Sequence, residues 1–202
     1  MVVLKPLKVV IKNIEEHTVM NLRAKYWPDA SDVDDESHYE ASMKILIPKI
    51  IMVLPWERLM LRYAFPIKCV DVLYAADETT VVEVHAEYDP TKSTKPKGVI
   101  HWVAEPSIGT APLKVEVRLF DTLFLSENPG EVEDWLTDLN PSSKTTVAAA
   151  FAVPVLRHSS LGDQFQFERL GYFCLDPDTT PDKLVFNRTV TLRDSYTKAA
   201  GK

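Results

Sequence analysis

The sequence predicts a mainly β chain made of two related antiparallel β-barrels, with one or a few short helices. Three observations predict it. First, ten short segments are β-branched or alternate apolar with polar residues, the period of a half-buried strand. Second, 14 prolines and 6 glycines break those segments apart, and proline is tolerated at strand edges and in loops. Third, the chain repeats itself. Pro6-Leu7-Lys8-Val9-Val10-Ile11 returns as Pro112-Leu113-Lys114-Val115-Glu116-Val117, and Trp56-Glu57-Arg58-Leu59 returns as Phe167-Glu168-Arg169-Leu170. The spacing is far too long for a solenoid repeat and fits two β domains, expected at residues 1–108 and 109–202.

In chain order, strands are expected near Val2–Lys12, Lys44–Val53, Arg58–Phe65, Ile67–Tyr74 and Thr79–Glu87 in the first half, followed by Gly98–Ala104. The second half should add Lys114–Phe120, Thr145–Val153, Gln164–Gly171 and Leu184–Leu192. One helix is expected where Val132, Trp135, Leu136 and Leu139 take i, i+3, i+4 and i+7 spacing, with Pro129 near its start and Pro141 at its end. Asp176, Pro177, Asp178 and Pro181 mark a turn between two β-rich runs.

Composition narrows the function. The 202 residues carry two cysteines, Cys69 and Cys174, too few for a disulfide scaffold and suited to a reducing, cytoplasmic compartment. No apolar run approaches a membrane span, and lysines interrupt the apolar N-terminus, so a signal peptide is not expected. A net charge of −6 argues at first against nucleic-acid binding, since phosphate contacts need clustered lysine and arginine, but the acids are bunched. One group lies at Asp29–Glu36 and another at Glu127–Asp138, which leaves local basic groups at Lys92, Lys95 and Lys97 and at Arg188, Arg193 and Lys198. The five histidines are scattered without metal-ligand spacing, so no metal site is expected, and no nucleophile–base arrangement suggests catalysis. The Asp32–Glu36 run lacks the glycine and spacing of a calcium loop, and no Walker-type phosphate loop is present.

The words Lys97-Gly98-Val99-Ile100-His101-Trp102-Val103, Val115 to Phe124, Asn128-Pro129-Gly130, Phe165 to Asp176 and Leu184 to Asp194 occur in this order. With them the chain resembles the anticodon-binding region of the glutaminyl-tRNA synthetase family, from Val3 to about Tyr196. The similarity is poor between Leu22 and Trp56. The words FERLGYF and FNRTVTL resemble eukaryotic more than bacterial members.

The resemblance implies two barrels of the type shared with a ribosomal protein, with the N-terminal segment exchanged between them. It implies a cytoplasmic, monomeric tRNA-binding region whose partner is the anticodon stem-loop of tRNA(Gln). The whole enzyme would ligate glutamine to tRNA with ATP and magnesium. The family's two ATP-binding signatures are absent here, so this region is expected to hold no cofactor and to catalyse nothing. Position by position, Gln166 matches the reader of the middle anticodon base, Glu168 the third-base pocket and Arg62 the first-base pocket. An amide both donates and accepts, a carboxylate accepts, and a guanidinium pairs with a base edge or phosphate. Read from the residues alone, Gln166 and Glu168 would lie on one face of a strand, with Phe165 and Phe167 beneath. Lys49, Lys97 and Arg193 are candidate phosphate contacts. A lysine–arginine pair that the family carries some ten residues before Arg62 is missing; Ile50-Ile51-Met52-Val53 stand there. Two alternatives remain open: the related region of a eukaryotic glutamyl-tRNA synthetase, and a non-catalytic β-barrel that binds rRNA or protein.

Overall fold

The computed structural model describes residues 1–14, 19–25, 39–46, 49–52, 58–90, 96–105 and 112–192, with backbone alone at 19–25, 39–46 and 49–52. The Asp29–Glu36 acids, Lys92, Lys95, Arg193 and Lys198 lie outside these residues.

The chain is mainly β. Its strands are β1 (Val2–Val3), β2 (Leu7–Ile11), β3 (Val19–Lys25), β4 (Tyr39–Leu46), β5 (Lys49–Met52), β6 (Arg58–Leu61), β7 (Pro66–Tyr74) and β8 (Val81–Tyr88). They continue with β9 (Gly98–Ile100), β10 (Trp102–Ala104), β11 (Leu113–Phe120), β12 (Lys144–Ala152), β13 (Gln164–Phe167), β14 (Gly171–Leu175) and β15 (Leu184–Val190). The chain divides into two compact units, residues 1–113 with 151–154, and 114–150 with 155–202.

One sheet runs β10-β5-β2-β8-β7-β6-β9 and a second runs β1-β12-β11-β15-β14-β13. Strand for strand, the two orders coincide over six positions. The first member of each sheet pairs out of chain order. β1 precedes β2 in the chain yet pairs with β12, and β10 precedes β11 yet pairs with β5. The β2–β8, β11–β15 and β6–β9 pairings are parallel. Long excursions separate the first two pairs, which is what a parallel pairing requires. In the first sheet, Gly98–Ala104 touches both edges, since β9 pairs with β6 and β10 with β5. The sheet therefore curls until a single segment bridges its edges.

Alternation decides which side is buried. Val9 and Ile11, Leu59 and Leu61, and Val84 and Ala86 point inward with Phe65, Ile67 and Trp102 to make the first core. Between them, Lys8, Glu83 and His85 point outward, and Lys8 Nζ meets Glu83 Oε2 at 2.5 Å. In the second unit Val115, Val117, Phe173, Leu175, Leu184, Val185 and Phe186 are buried. There the turn after β14 is held by a charged cluster. Arg118 Nε donates to Glu116 Oε1 at 2.8 Å, and its Nη1 meets Asp178 at 2.7 Å and Asp176 at 3.2 Å. Lys183 reaches Glu116 at 2.7 Å, and Asn187 donates from its amide to Asp176.

Three expectations are corrected. The helix at Val132–Leu139 does not form. The region carries a 3-10 turn at Pro129–Glu131 and i→i+3 backbone bonds from Thr137, Asp138 and Leu139. Leu139 instead bridges Phe124, and Asp138 accepts from the Ser126 hydroxyl at 2.6 Å. The expected strand over Gln164–Gly171 is two strands and a turn, because the chain reverses at Glu168–Leu170. Lys44–Val53 is likewise split between β4 and β5.

Candidate anticodon-loop interface

The β13–β14 hairpin is built on stacked rings. Phe167 is 3% exposed. It lies against Phe173 at 4.5 Å and Phe186 at 5.3 Å between ring centroids, and Phe165 sits 5.7 Å from Phe186. With both phenylalanines turned into the sheet, period 2 turns Gln164 and Gln166 outward, and both are exposed. Gln166 is the direct cross-strand partner of Tyr172, so the two share a face. Tyr172 is 46% exposed. Sequence reasoning missed this tyrosine, although its place on an outward strand position beside the matched glutamine was the signal. An exposed amide next to an exposed aromatic ring can hydrogen-bond a base edge and stack on its face.

Glu168 is not on that strand. β13 ends at Phe167, and Glu168 is the first residue of a three-residue turn, half-buried. Leu170 N donates to Phe167 O at 2.9 Å, Phe167 pairs with Gly171, and Arg169 has φ of 66°. The same-face expectation for Gln166 and Glu168 is therefore corrected: one side chain is set by a strand, the other by a turn. Gly171 has φ of 139°, and a Cβ there would fall against the Val190 carbonyl oxygen. β15 passes so close under the turn that only glycine fits.

The first unit contains the same turn. β6 ends at Leu61, Leu61 N donates to Phe65 O at 3.0 Å, Ala64 N donates to Leu61 O at 2.9 Å, and Tyr63 has φ of 64°. Leu61-Arg62-Tyr63-Ala64-Phe65 thus corresponds, position for position, to Phe167-Glu168-Arg169-Leu170-Gly171. The separation is the same as that between Pro6 and Pro112. The repeat pairs FERL with LRYA, and the expected pairing with Trp56-Glu57-Arg58-Leu59 is corrected. Arg62 and Glu168 occupy the same position of the same turn. Arg62 is anchored from both sides: its N–H donates to Ile100 O at 2.9 Å, and its carbonyl accepts from the buried Trp102 Nε1 at 3.0 Å. The Arg62 guanidinium lies 4.8 Å from the Tyr63 ring centroid, and its Nη2 donates to the Tyr63 hydroxyl at 3.1 Å.

The remaining candidates lie apart from these turns or outside the described residues. Lys97 is exposed just before β9, its N–H donating to Arg58 O at 3.1 Å. That is the opposite end of the β6–β9 pair from Arg62, roughly 13 Å along the strands. Arg58 in turn pairs with Lys68. Arg58, Lys68 and Lys97 therefore gather three cations at one end of the first sheet, two of which the sequence reading did not single out. Lys49 opens β5 opposite Val10, with its side chain outside the description, and Arg193 is outside it altogether. Among the described residues no three His, Cys, Asp or Glu side chains form a metal site, and no helix is long and apolar enough to cross a membrane.

Comparison with known proteins places these turns in context. A family model described as "tRNA synthetases class I (E and Q), anti-codon binding domain" matches residues 1–89, and a second of the same description matches residues 99–176. The chain is 53% identical over 214 residues to the glutamine–tRNA ligase of Lupinus luteus, covering 98% of this chain and 26% of the relative. It is 53% identical over 215 residues to the cytoplasmic glutamine–tRNA ligase of Arabidopsis thaliana, again 98% and 26%. A probable glutamine–tRNA ligase of Dictyostelium discoideum is 35% identical over 218 residues, 100% and 27%. The chain spans about a quarter of the length of these relatives.

Proposed function

The chain belongs to the anticodon-binding family of class I tRNA synthetases of the E and Q type, and we propose that it reads the anticodon loop of tRNA(Gln) for a cytoplasmic glutamine–tRNA ligase. In this reading the ligation chemistry, with its ATP and magnesium, belongs to the rest of the ligase. The region supplies recognition as a monomer. The observation that carries the reading is the duplicated turn. A β-hairpin ending in a left-handed residue presents one charged side chain from each unit, Arg62 from the first and Glu168 from the second.

The chemistry of the three readers differs, as discrimination among bases requires. Gln166 offers a donor and an acceptor from an exposed strand, with Tyr172 beside it as a stacking face. Glu168 offers acceptors to the imino and amino groups of a guanine. Arg62 offers a planar fork of donors. Lys97 with Arg58 and Lys68 is suited to phosphates, which position the loop without specifying its sequence.

The test is a binding panel of the chain against the tRNA(Gln) anticodon stem-loop and three variants, each with one anticodon base replaced. The expected result is weaker binding of each variant by about 1–3 kcal/mol. Equal affinity for all four loops would reject base reading and favour a shape-reading RNA-binding module.

A further inference from the structure

The turn that carries Arg62 holds a residue that stereochemistry alone would not select. The left-handed region at φ of 64° suits glycine or asparagine, and an aromatic residue rarely adopts it. Yet Tyr63 stands there. The backbone of this turn is over-determined. Ile100 O, Phe65 O and Leu61 O each accept one of its amides, and the Trp102 indole holds the Arg62 carbonyl. The strain is thus imposed by the scaffold and carried by a bulky ring. The matching turn in the second unit has the same backbone with Arg169 in that place, so the left-handed residue belongs to the turn while the ring belongs to this one. What distinguishes the ring is its neighbour. The Arg62 guanidinium lies over it at 4.8 Å and donates to its hydroxyl at 3.1 Å. Face and hydroxyl act together on one side chain, fixing both the plane and the rotation of the guanidinium.

We propose that Tyr63 is a positioning residue for first-base discrimination, holding the Arg62 fork in its reading orientation before RNA arrives. An arginine has long rotatable arms, and ordering it only on binding costs part of the interaction. A ring beneath the guanidinium places that cost in the folded protein. This rests on the reading of Arg62 as the first-base contact.

The experiment measures Kd of the chain for the cognate stem-loop and its first-base variant, beside the thermal midpoint, for wild type, Tyr63→Asn, Tyr63→Phe, Arg62→Ala and the double variant. Asparagine accepts the left-handed backbone but removes the ring. Tyr63→Asn should keep or raise the midpoint and lower first-base discrimination about three- to tenfold. Tyr63→Phe, which keeps the face and loses the hydroxyl, should fall between it and wild type. Arg62→Ala and the double variant should discriminate equally poorly, because the tyrosine acts only through the arginine. If Arg62→Ala loses discrimination and Tyr63→Asn does not, the tyrosine is only a turn residue and this inference is wrong while the base-reading account stands. If Arg62→Ala leaves discrimination intact, the reading of Arg62 fails and the inference falls with it.

Discussion

Gly171 shows how a single backbone angle sets a turn. Its φ of 139° and the Val190 carbonyl behind it leave no room for a side chain. Gly171→Ala must push β15 away or unwind the turn that carries Glu168. It should cost about 2–4 kcal/mol, beyond the usual penalty for alanine at a left-handed site, because a backbone clash is added. Chemical denaturation checks this; a change under about 0.5 kcal/mol would mean the turn is slack and Glu168 is not held. At this scale the sequence was legible where side chains follow period 2. The phenylalanines of Phe165–Phe167 fixed Gln166 as outward-facing. It was not legible at Glu168, because the turn depends on Gly171 and Arg169 adopting positive φ, and neither FERLG nor LRYA carries the usual asparagine–glycine signal of a hairpin.

At the scale of elements, the loop between β11 and β12 shows where pattern misleads. Val132, Trp135, Leu136 and Leu139 have helical spacing, but a helix needs a surface to bury that stripe. Here Trp135 is 54% exposed and Leu136 57%, and the loop is closed by Phe124–Leu139 and by Asp138. Trp135→Ala should therefore cost less than about 1 kcal/mol, whereas Trp102→Ala, at 0% exposed, should cost about 3–5 kcal/mol. Near-equal losses in thermal melts would mean that Trp135 packs as a helix would have it. The turn after β14 is governed by charge instead. The Lys183 ammonium and the Arg118 guanidinium hold the Glu116 carboxyl below its ordinary range against the upward push of burial. Burial raises Asp176, but the Asp178 amide, Asn187 and Arg118 outweigh it and its pKa is also lowered. A depressed carboxylate stabilises the fold above its unfolded pKa and loses that contribution as pH falls through the folded value. Arg118→Met should thus be less stable than wild type at neutral pH, and the gap should close from about pH 4 downward. A gap in melting temperature that is constant from pH 7 to pH 2 would show that the cluster contributes nothing through charge.

Over the whole molecule, duplication is the organising fact. The two sheets share a strand order, and the Pro6–Pro112 and Arg62–Glu168 pairs share one separation. Of the two repeated words that pointed to duplication in the sequence, PLKV aligns with the structure, because both copies open the first long strand of a sheet and both bury the same alternate positions. The pairings of β1 with β12 and of β10 with β5 were beyond residue patterns, since two-residue and three-residue strands carry no period of their own; the family resemblance implied only an exchange of the N-terminal segment. We propose that one duplicated turn, together with the strand beside the second copy, assigns one reader to each anticodon base. The most direct measurement is the affinity of Arg62→Ala, Gln166→Ala and Glu168→Ala for stem-loops altered singly at the first, middle and third base. Each variant should lose about 1–3 kcal/mol of discrimination at its own base, in that order, and keep it at the other two. Uniform weakening across all loops for all three variants would contradict it.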